Sequence, residues 1–209
     1  MIFVLFILTS LPLVAKDNAE ILSETTLLHE KNLLNKYSVK PSQWLEKNCM
    51  EMAIKMDFDQ INQCKIINSD QINAYVLVNG HVYFSLAMMQ QIKNKHQWAA
   101  ILAHENAHLE LNHYLKTLEK YQNPGLFFPK SKIKKMMRKH ENQADDWSRK
   151  RLQEYGYDNE QIYFFMQRVI KINGNKKTNS HIQPSKRSKR NNSIEIIDEK
   201  LVKSIAELK

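Results

Sequence analysis

Glycine is scarce in this chain, and long apolar runs are scarcer still. The 209 residues include only four glycines, and no segment repeats along the chain. Solenoids, propellers and fibrous proteins are built from repeats, so the sequence excludes these classes. After the first fifteen residues, no apolar run is long enough to cross a bilayer. A composition of 43% hydrophobic and 25% charged residues instead indicates one globular domain with a sizeable core.

The first fifteen residues are the exception. Met1 to Ala15 is apolar and carries no charged side chain, and Lys16 ends the run sharply. A run of this length that ends in a small residue predicts a secretory signal peptide. No lysine or arginine precedes the apolar core, so an uncleaved membrane anchor stays open as the alternative. We expect a periplasmic or secreted protein, and association with a membrane stays open.

Cysteine is also rare. Cys49 and Cys64 are the only two, and neither has a C-x-x-C partner, which makes them poor zinc ligands. In an exported protein they could form a disulfide, and closing so short a loop stabilises the fold by about 3 kcal/mol. Two buried thiols fit the sequence equally well.

Acidic residues are outnumbered by basic ones, 22 to 31, which gives a net charge of +9. Nucleic acid, a phospholipid surface, or simply a well-solvated lysine-rich exterior all suit such a charge. We favour the solvated exterior. A phospholipid surface fits an exported protein better than nucleic acid does, so we expect no nucleic-acid partner.

The apolar periodicity changes along the chain. It predicts amphipathic helices over residues 17–37 and from Ser42 to about Phe58. Alternating residues then predict short strands, at 63–68, 71–78 and 81–86. Only Asn79-Gly80 separates the last two, and this pair suits a type I′ hairpin turn. We therefore expect a small antiparallel sheet.

The most informative stretch is a predicted helix over residues 95–121 that carries an H-E-x-x-H motif. Helical periodicity places His104 and His108 on one apolar face, one turn apart. Two imidazoles in this arrangement suit a single zinc ion, and Glu105 lies at the edge of the same face, where it can reach a metal-bound water. Buried histidines are more often plain core residues, so the motif needs a third ligand.

A second predicted helix supplies that ligand. Glu141 and Asp145 are four residues apart and share a face. A carboxylate from this helix completes a set of two histidines and one glutamate, and leaves a fourth position to water. Asp145 is then placed to hold the far ring nitrogen of a ligand histidine.

Several pieces together carry a family resemblance. In order, they are Asn73-Ala74, Gly80 followed by Val82 and Phe84, the H-E-x-x-H motif, His113, and E-x-x-A-D at Glu141 to Asp145. This set resembles the zinc metallopeptidases that include the bacterial heat-shock membrane protease, the CAAX prenyl endopeptidase and the periplasmic outer-membrane-assembly peptidases. The resemblance implies that His104, His108 and Glu141 bind zinc and that Glu105 is the general base.

The same resemblance implies two further roles. In the family an edge strand beside the zinc helix pairs with extended substrate, and we carry this over to Val82, Tyr83 and Phe84. His181 resembles a family histidine that approaches the zinc as a fourth ligand or restrains activity. A solvated linker histidine is the alternative for His181.

The sequence thus predicts an α+β, zincin-like, mainly helical domain with a small antiparallel sheet beside the motif helix. The expected division is a signal peptide at 1–15, a peptidase domain at 16–173, a basic linker at 174–192 and a C-terminal helix at 193–209. The expected function is zinc-dependent endoproteolysis of exported or envelope proteins, in protein quality control, with one Zn²⁺ per chain. A periplasmic chaperone-like peptide binder, or a basic surface module with core histidines, are the alternatives.

Overall fold

The computed structural model describes residues 17–122, 130–173 and 193–208, without the side chains of 130 and 131. The predicted signal peptide, the linker at 174–192 and His181 lie outside the described residues. Within them the elements follow in the order α1 (Asn18–Lys36), α2 (Gln43–Lys55), β1 (Gln63–Ile67), β2 (Ala74–Val76), β3 (His81–Ser85), α3 (Leu86–Met89), α4 (Lys95–Glu110), α5 (His113–Gln122), α6 (Lys130–Glu154), α7 (Gln161–Asn173) and α8 (Glu199–Ala206). This is an α+β fold dominated by helices. None of the described helices has the length and apolar character needed to span a bilayer.

The three strands form a mixed sheet, so the expected antiparallel sheet is wrong in part. The strand order is β1-β3-β2: β3 runs parallel to β1 and antiparallel to β2. Alternation identified the strands, and the Asn-Gly signal fixed the direction of the β2–β3 pair. Neither feature carries information about which edge of that hairpin receives β1.

The hairpin turn also differs from the prediction. Leu77 N donates to His81 O, and Gly80 N donates to Leu77 O, so the loop has three residues rather than two. Gly80 has a φ of 79°, whereas Asn79 does not lie in the left-handed region. A type I′ turn needs positive φ at both central residues, so this loop is a different turn that ends in a left-handed glycine.

The predicted long helix over 95–121 is broken in two. Asn112 adopts a φ of 52° between α4 and α5, and its amide donates to Leu109 O. Asparagine is one of the few residues that tolerates this conformation, because its short polar side chain bonds locally. The break redirects the chain, so the face predicted from a continuous helix does not extend past Leu111.

Both faces of the sheet are covered. One face packs on the main core with α2 and α4, through Val82 and Phe84 of β3. On the other face, Leu33 of α1 packs against Ile67 and Tyr83. The sheet is therefore an internal layer between α1 and the helical core, and α4 is the central helix of that core.

Two contacts tie outlying segments to the core. Cys49 of α2 and Cys64 of β1 form a disulfide, which resolves the open alternatives for these cysteines. The C-terminal helix begins at Glu199, not at residue 193. Residues 193–198 have no regular secondary structure, and Asn94, the N-cap of α4, donates to Ile196 O at 2.7 Å.

Gly80 offers a direct test of the hairpin. A Cβ at this position would lie 1.9 Å from the backbone oxygen of Gln60, whereas one at Gly156, also at positive φ, would meet nothing within 4 Å. We expect Gly80→Ala to lower the free energy of unfolding by roughly 2–5 kcal/mol, because strain and overpacking add. The matched Gly156→Ala should cost only about 1–2 kcal/mol, from backbone strain alone. Urea denaturation of both variants measures the difference, and equal losses would contradict the close approach at Gly80.

Candidate metal centre

The centre forms where α4 and α6 pack together. Residues 97–109 of α4 are all buried, although five of these thirteen side chains are polar. A helix buried on every face lies inside the core, and its polar side chains need partners there. Ala103 and Ala107 of α4 and Ala144 of α6 are completely buried. Such small side chains let two helix backbones approach closely, so longer polar side chains on the neighbouring turns meet across the interface.

Three of those side chains converge on one point. His104 Nε2 and His108 Nε2 are 3.3 Å apart. Glu141 places Oε2 3.5 Å from His104 Nε2 and Oε1 3.7 Å from His108 Nε2. The three residues are a candidate metal-ligand set, since one donor atom from each lies within 4.8 Å of the others.

Asp145 contacts the far side of one ring. Its Oδ1 lies 2.8 Å from His104 Nδ1. A carboxylate there favours a proton on Nδ1, which leaves the lone pair of His104 on Nε2, the nitrogen that faces Glu141. The structure therefore brings together four residues named from the sequence: His104, His108, Glu141 and Asp145.

The far side of the second ring is held by a residue whose role the sequence did not reveal. His113 Nδ1 lies 3.2 Å from His108 Nδ1. One of these two nitrogens must donate and the other accept. If His108 keeps its Nε2 lone pair for a metal, its Nδ1 donates, and His113 is the acceptor. The left-handed Asn112 makes this contact possible, because it turns His113 back towards His108.

The protonation of His113 fits that role. Burial first, and then the neighbouring His140 and Lys116 charges, lower the pKa of His113 to about 4. The rings of His113 and His140 are stacked, with centroids 4.2 Å apart. A neutral imidazole can accept a hydrogen bond at Nδ1, whereas an imidazolium cannot.

Glu105 is buried beside the three candidate ligands, with an exposed fraction of 4%. Its charge, together with that of Glu141, acts on Tyr114. Burial first, and then these two carboxylates, raise the pKa of Tyr114. Tyr114 stays a neutral phenol and donates to Val76 O at 2.5 Å, which ties α5 to strand β2.

The prediction that Val82, Tyr83 and Phe84 form the substrate-binding edge strand is wrong. Val82, Tyr83 and Phe84 belong to β3, the central strand, and all three are fully buried. Because β1 and β2 occupy both sides of β3, its backbone cannot pair with a peptide. The edge strand that packs against α4 is β2.

The outward groups of β2 follow from its register. Asn73 O accepts from Ser85 N, and Leu77 N donates to His81 O. In an antiparallel pair the residues alternate, so the backbone groups of Ala74 and Val76 point away from β3. Of these groups, Val76 O accepts from Tyr114.

The donor set fits a tetrahedral zinc ion. Bonds of about 2.0–2.1 Å at tetrahedral angles place neighbouring donor atoms roughly 3.3 Å apart. The two Nε2 atoms are 3.3 Å apart, which matches that value. Each of them lies 3.5–3.7 Å from one of the two carboxylate oxygens of Glu141, so this carboxylate faces both rings. Two imidazoles and one carboxylate are also a known catalytic zinc set. The residues present therefore suit Zn²⁺.

Comparison with known proteins agrees with this arrangement. Residues 40–129 match the model of peptidase family M48. The chain is also 33% identical over 57 residues to the beta-barrel assembly-enhancing protease of Yersinia pestis, which is 27% of this chain and 12% of that protein. The protein of the same name from Escherichia coli (strain K12) matches with the same identity and coverage. The chain thus spans only a small part of the length of these curated relatives.

These matches indicate the class first: the matched part of the chain is similar to metallopeptidases. The family model that matches, that of peptidase family M48, covers 90 of the 209 residues, and it confirms the resemblance seen in the sequence for that part of the chain. The matched region contains the H-E-x-x-H motif but ends before Glu141. The family match therefore does not test Glu141, whose place in the centre is given by its distances to the two histidines.

Asp145 can be tested apart from the ligands. We expect Asp145→Asn to weaken zinc binding about 10- to 100-fold, because an amide no longer fixes the tautomer of His104 as a carboxylate does. Asp146→Asn is the matched control, since Asp146 is exposed and pairs only with Arg149 among its described contacts. Titration of zinc against a competing chelator measures both affinities. Equal zinc affinities of the two variants would show that Asp145 does not orient His104 for metal binding.

Proposed function

We propose that this chain is a zinc-dependent metalloendopeptidase with a zincin-like active site. The observation that carries the proposal is the convergence of His104, His108 and Glu141 beside the buried carboxylate of Glu105. A core histidine pair would not need a carboxylate opposite both Nε2 atoms. The spacing therefore favours a metal site over the basic surface module.

The chemistry divides between the metal and the protein. When bound, Zn²⁺ would supply a Lewis acid that makes a water more acidic and polarises a peptide carbonyl. Glu105 accepts the proton of the attacking water and passes it to the leaving amine. Asp145 and His113 hold the two imidazoles in the tautomers that face the centre. Burial of Glu105 removes competing water from its carboxylate.

Substrate binding is assigned to β2 in place of β3. The outward backbone groups of Ala74 and Val76 lie on the strand that packs against α4. An extended peptide added at this edge would run beside the motif helix, and main-chain hydrogen bonds would bind it with little regard to side chains. This geometry supports hydrolysis within a chain, hence an endopeptidase.

Two observations support substrates of the cell envelope. The Cys49–Cys64 disulfide is stable in an oxidising compartment and rare in a reducing one. The curated relatives are named for beta-barrel assembly. We therefore propose a periplasmic or secreted peptidase that acts on exported or envelope proteins in quality control.

The decisive variant is Glu105→Gln. This substitution removes the general base and keeps the shape of the side chain. We therefore expect the rate of peptide hydrolysis to fall by about 10²- to 10⁴-fold while zinc stays bound. Cleavage of a quenched fluorescent peptide measures activity, and metal analysis measures zinc. Glu141→Ala is the companion variant and should lose zinc as well as activity.

The outcomes separate the hypotheses. Activity in Glu105→Gln equal to that of the native protein would falsify the role assigned to Glu105. Zinc and peptide binding without hydrolysis by the native protein would favour the chaperone-like alternative. A native protein that binds no zinc would leave only the basic surface module.

A further inference from the structure

A strongly basic surface lies between the end of α5 and the first half of α6. Its residues line a groove of about 570 Å³, which we call the basic groove. The lining residues are Lys120, Lys132, Lys135, Met136, Arg138, Lys139 and Asn142. Five of the seven are cationic, and none is acidic. All five cationic residues are exposed, so a partner with a broad surface can reach them.

The basic groove and the metal centre lie on different faces of α6. Lys132, Lys135 and Lys139 are three and four residues apart, so they share one stripe of the helix. Glu141 follows Lys139 by two residues, which is about 200° around the helix. It shares its side with the buried Ala144, where α6 packs against α4. A partner bound at the groove would therefore leave the metal centre uncovered.

The positive charge is concentrated in this segment and does not follow from the average composition. Six of the ten residues at 130–139 are lysine or arginine and none is acidic, against 31 lysines and arginines among all 209 residues. Like charges three and four residues apart repel, and the positive end of a helix dipole disfavours cations. The arrangement therefore destabilises the first half of α6, which a merely well-solvated exterior does not require.

Arg138 differs from the other arginines that the structure describes. Each of those forms an ion pair with a carboxylate, and the pairs are Arg149–Asp146, Arg151–Glu154 and Arg168–Glu195. Arg138 forms no ion pair with any described residue, and neither do Lys135 and Lys139. These three charges are therefore available to a partner outside the chain, and a guanidinium group suits the oxygens of a phosphate.

The compartment indicates which partner carries those phosphates. The Cys49–Cys64 disulfide fits an oxidising compartment outside the cytosol, where nucleic acid is not an expected partner. Anionic phospholipid is the phosphate surface that an exported protein meets. Clusters of four to eight lysines and arginines on a helix are typical of binding to such lipid. The aliphatic parts of the lysines and Met136 can also contact apolar atoms below the headgroups.

We propose that the basic groove docks the protein on a bilayer that contains anionic phospholipid. Headgroup phosphates bind among Lys132, Lys135, Arg138 and Lys139. Because Glu141 lies on the other side of α6, the metal centre then faces away from the lipid. This inference goes beyond the proposed proteolytic function and does not rest on it, since docking requires neither zinc nor hydrolysis.

Sedimentation of the full chain with vesicles tests the proposal. One set of vesicles is phosphatidylcholine alone, and in the other set phosphatidylglycerol replaces about a third of that lipid. We expect the native protein to bind the anionic vesicles about 100-fold more tightly at low ionic strength. High salt should bring the two affinities together, because it screens exposed charges. The apolar residues 1–15 carry no charge, so they cannot produce this preference.

A charge-matched pair of variants locates the effect. The groove variant carries Gln at Lys132, Lys135, Arg138 and Lys139. The control variant carries Gln at four exposed lysines of α2, α4, α7 and α8, namely Lys47, Lys95, Lys171 and Lys203. Both variants lose four positive charges, so net charge cannot explain a difference. We expect binding to anionic vesicles to fall about 100-fold in the groove variant and less than about threefold in the control.

Three results would overturn the proposal. The first is equal binding of the native protein to both sets of vesicles. The second is an equal loss in the two variants, which would assign the effect to net charge. The third is a groove variant that keeps its affinity for anionic vesicles but loses binding to a glutamate-rich peptide, because the groove then serves an acidic protein segment. None of these results depends on peptide hydrolysis, so the docking proposal and the proposed peptidase function fail separately.

Discussion

The fixed orientation of two imidazole rings is the constraint on which the rest of this molecule depends. Each ring must turn Nε2 towards Glu141, and each is held from behind at Nδ1. Asp145 holds His104 from α6, whereas His113 holds His108 from the start of α5. The first contact needs the close packing of α4 and α6 through alanines. The second needs the break at Asn112, since a continuous helix would carry His113 away from His108.

The sequence predicts those features of this centre that depend on residues close together along the chain, and it predicts contacts between distant segments less well. His104 and His108 follow from helical periodicity within one helix, and Glu141 with Asp145 from the same rule in another. The contact between the two helices, with 33 residues from His108 to Glu141, was supported by the family resemblance. The contact of His113 was missed because periodicity assumed one helix through Asn112. An asparagine after Leu111 could have signalled the left-handed break, since asparagine tolerates that conformation better than most residues.

The sheet shows a different limit. The strands and the hairpin could be predicted, because alternation and the Asn-Gly pair are local. The position of β1 could not, because strand order depends on packing between segments that are distant in sequence. The error moved the proposed substrate edge from β2 to β3. The sequence contains a signal against this assignment. Val82, Tyr83 and Phe84 are three consecutive large apolar side chains, a pattern that suits a strand covered on both faces better than an open edge strand.

The shortness of β2 has a consequence for selectivity. Only Ala74 and Val76 turn their backbone groups outward, and Tyr114 already occupies the oxygen of Val76. Three main-chain groups of β2 have no partner among the residues that the structure describes, and a bound peptide would gain little affinity from so few hydrogen bonds. Main-chain hydrogen bonds do not distinguish one peptide sequence from another, so a peptidase with so few of them must select its substrates through side-chain contacts elsewhere. Its choice of target can then evolve by surface substitution, with the catalytic apparatus unchanged.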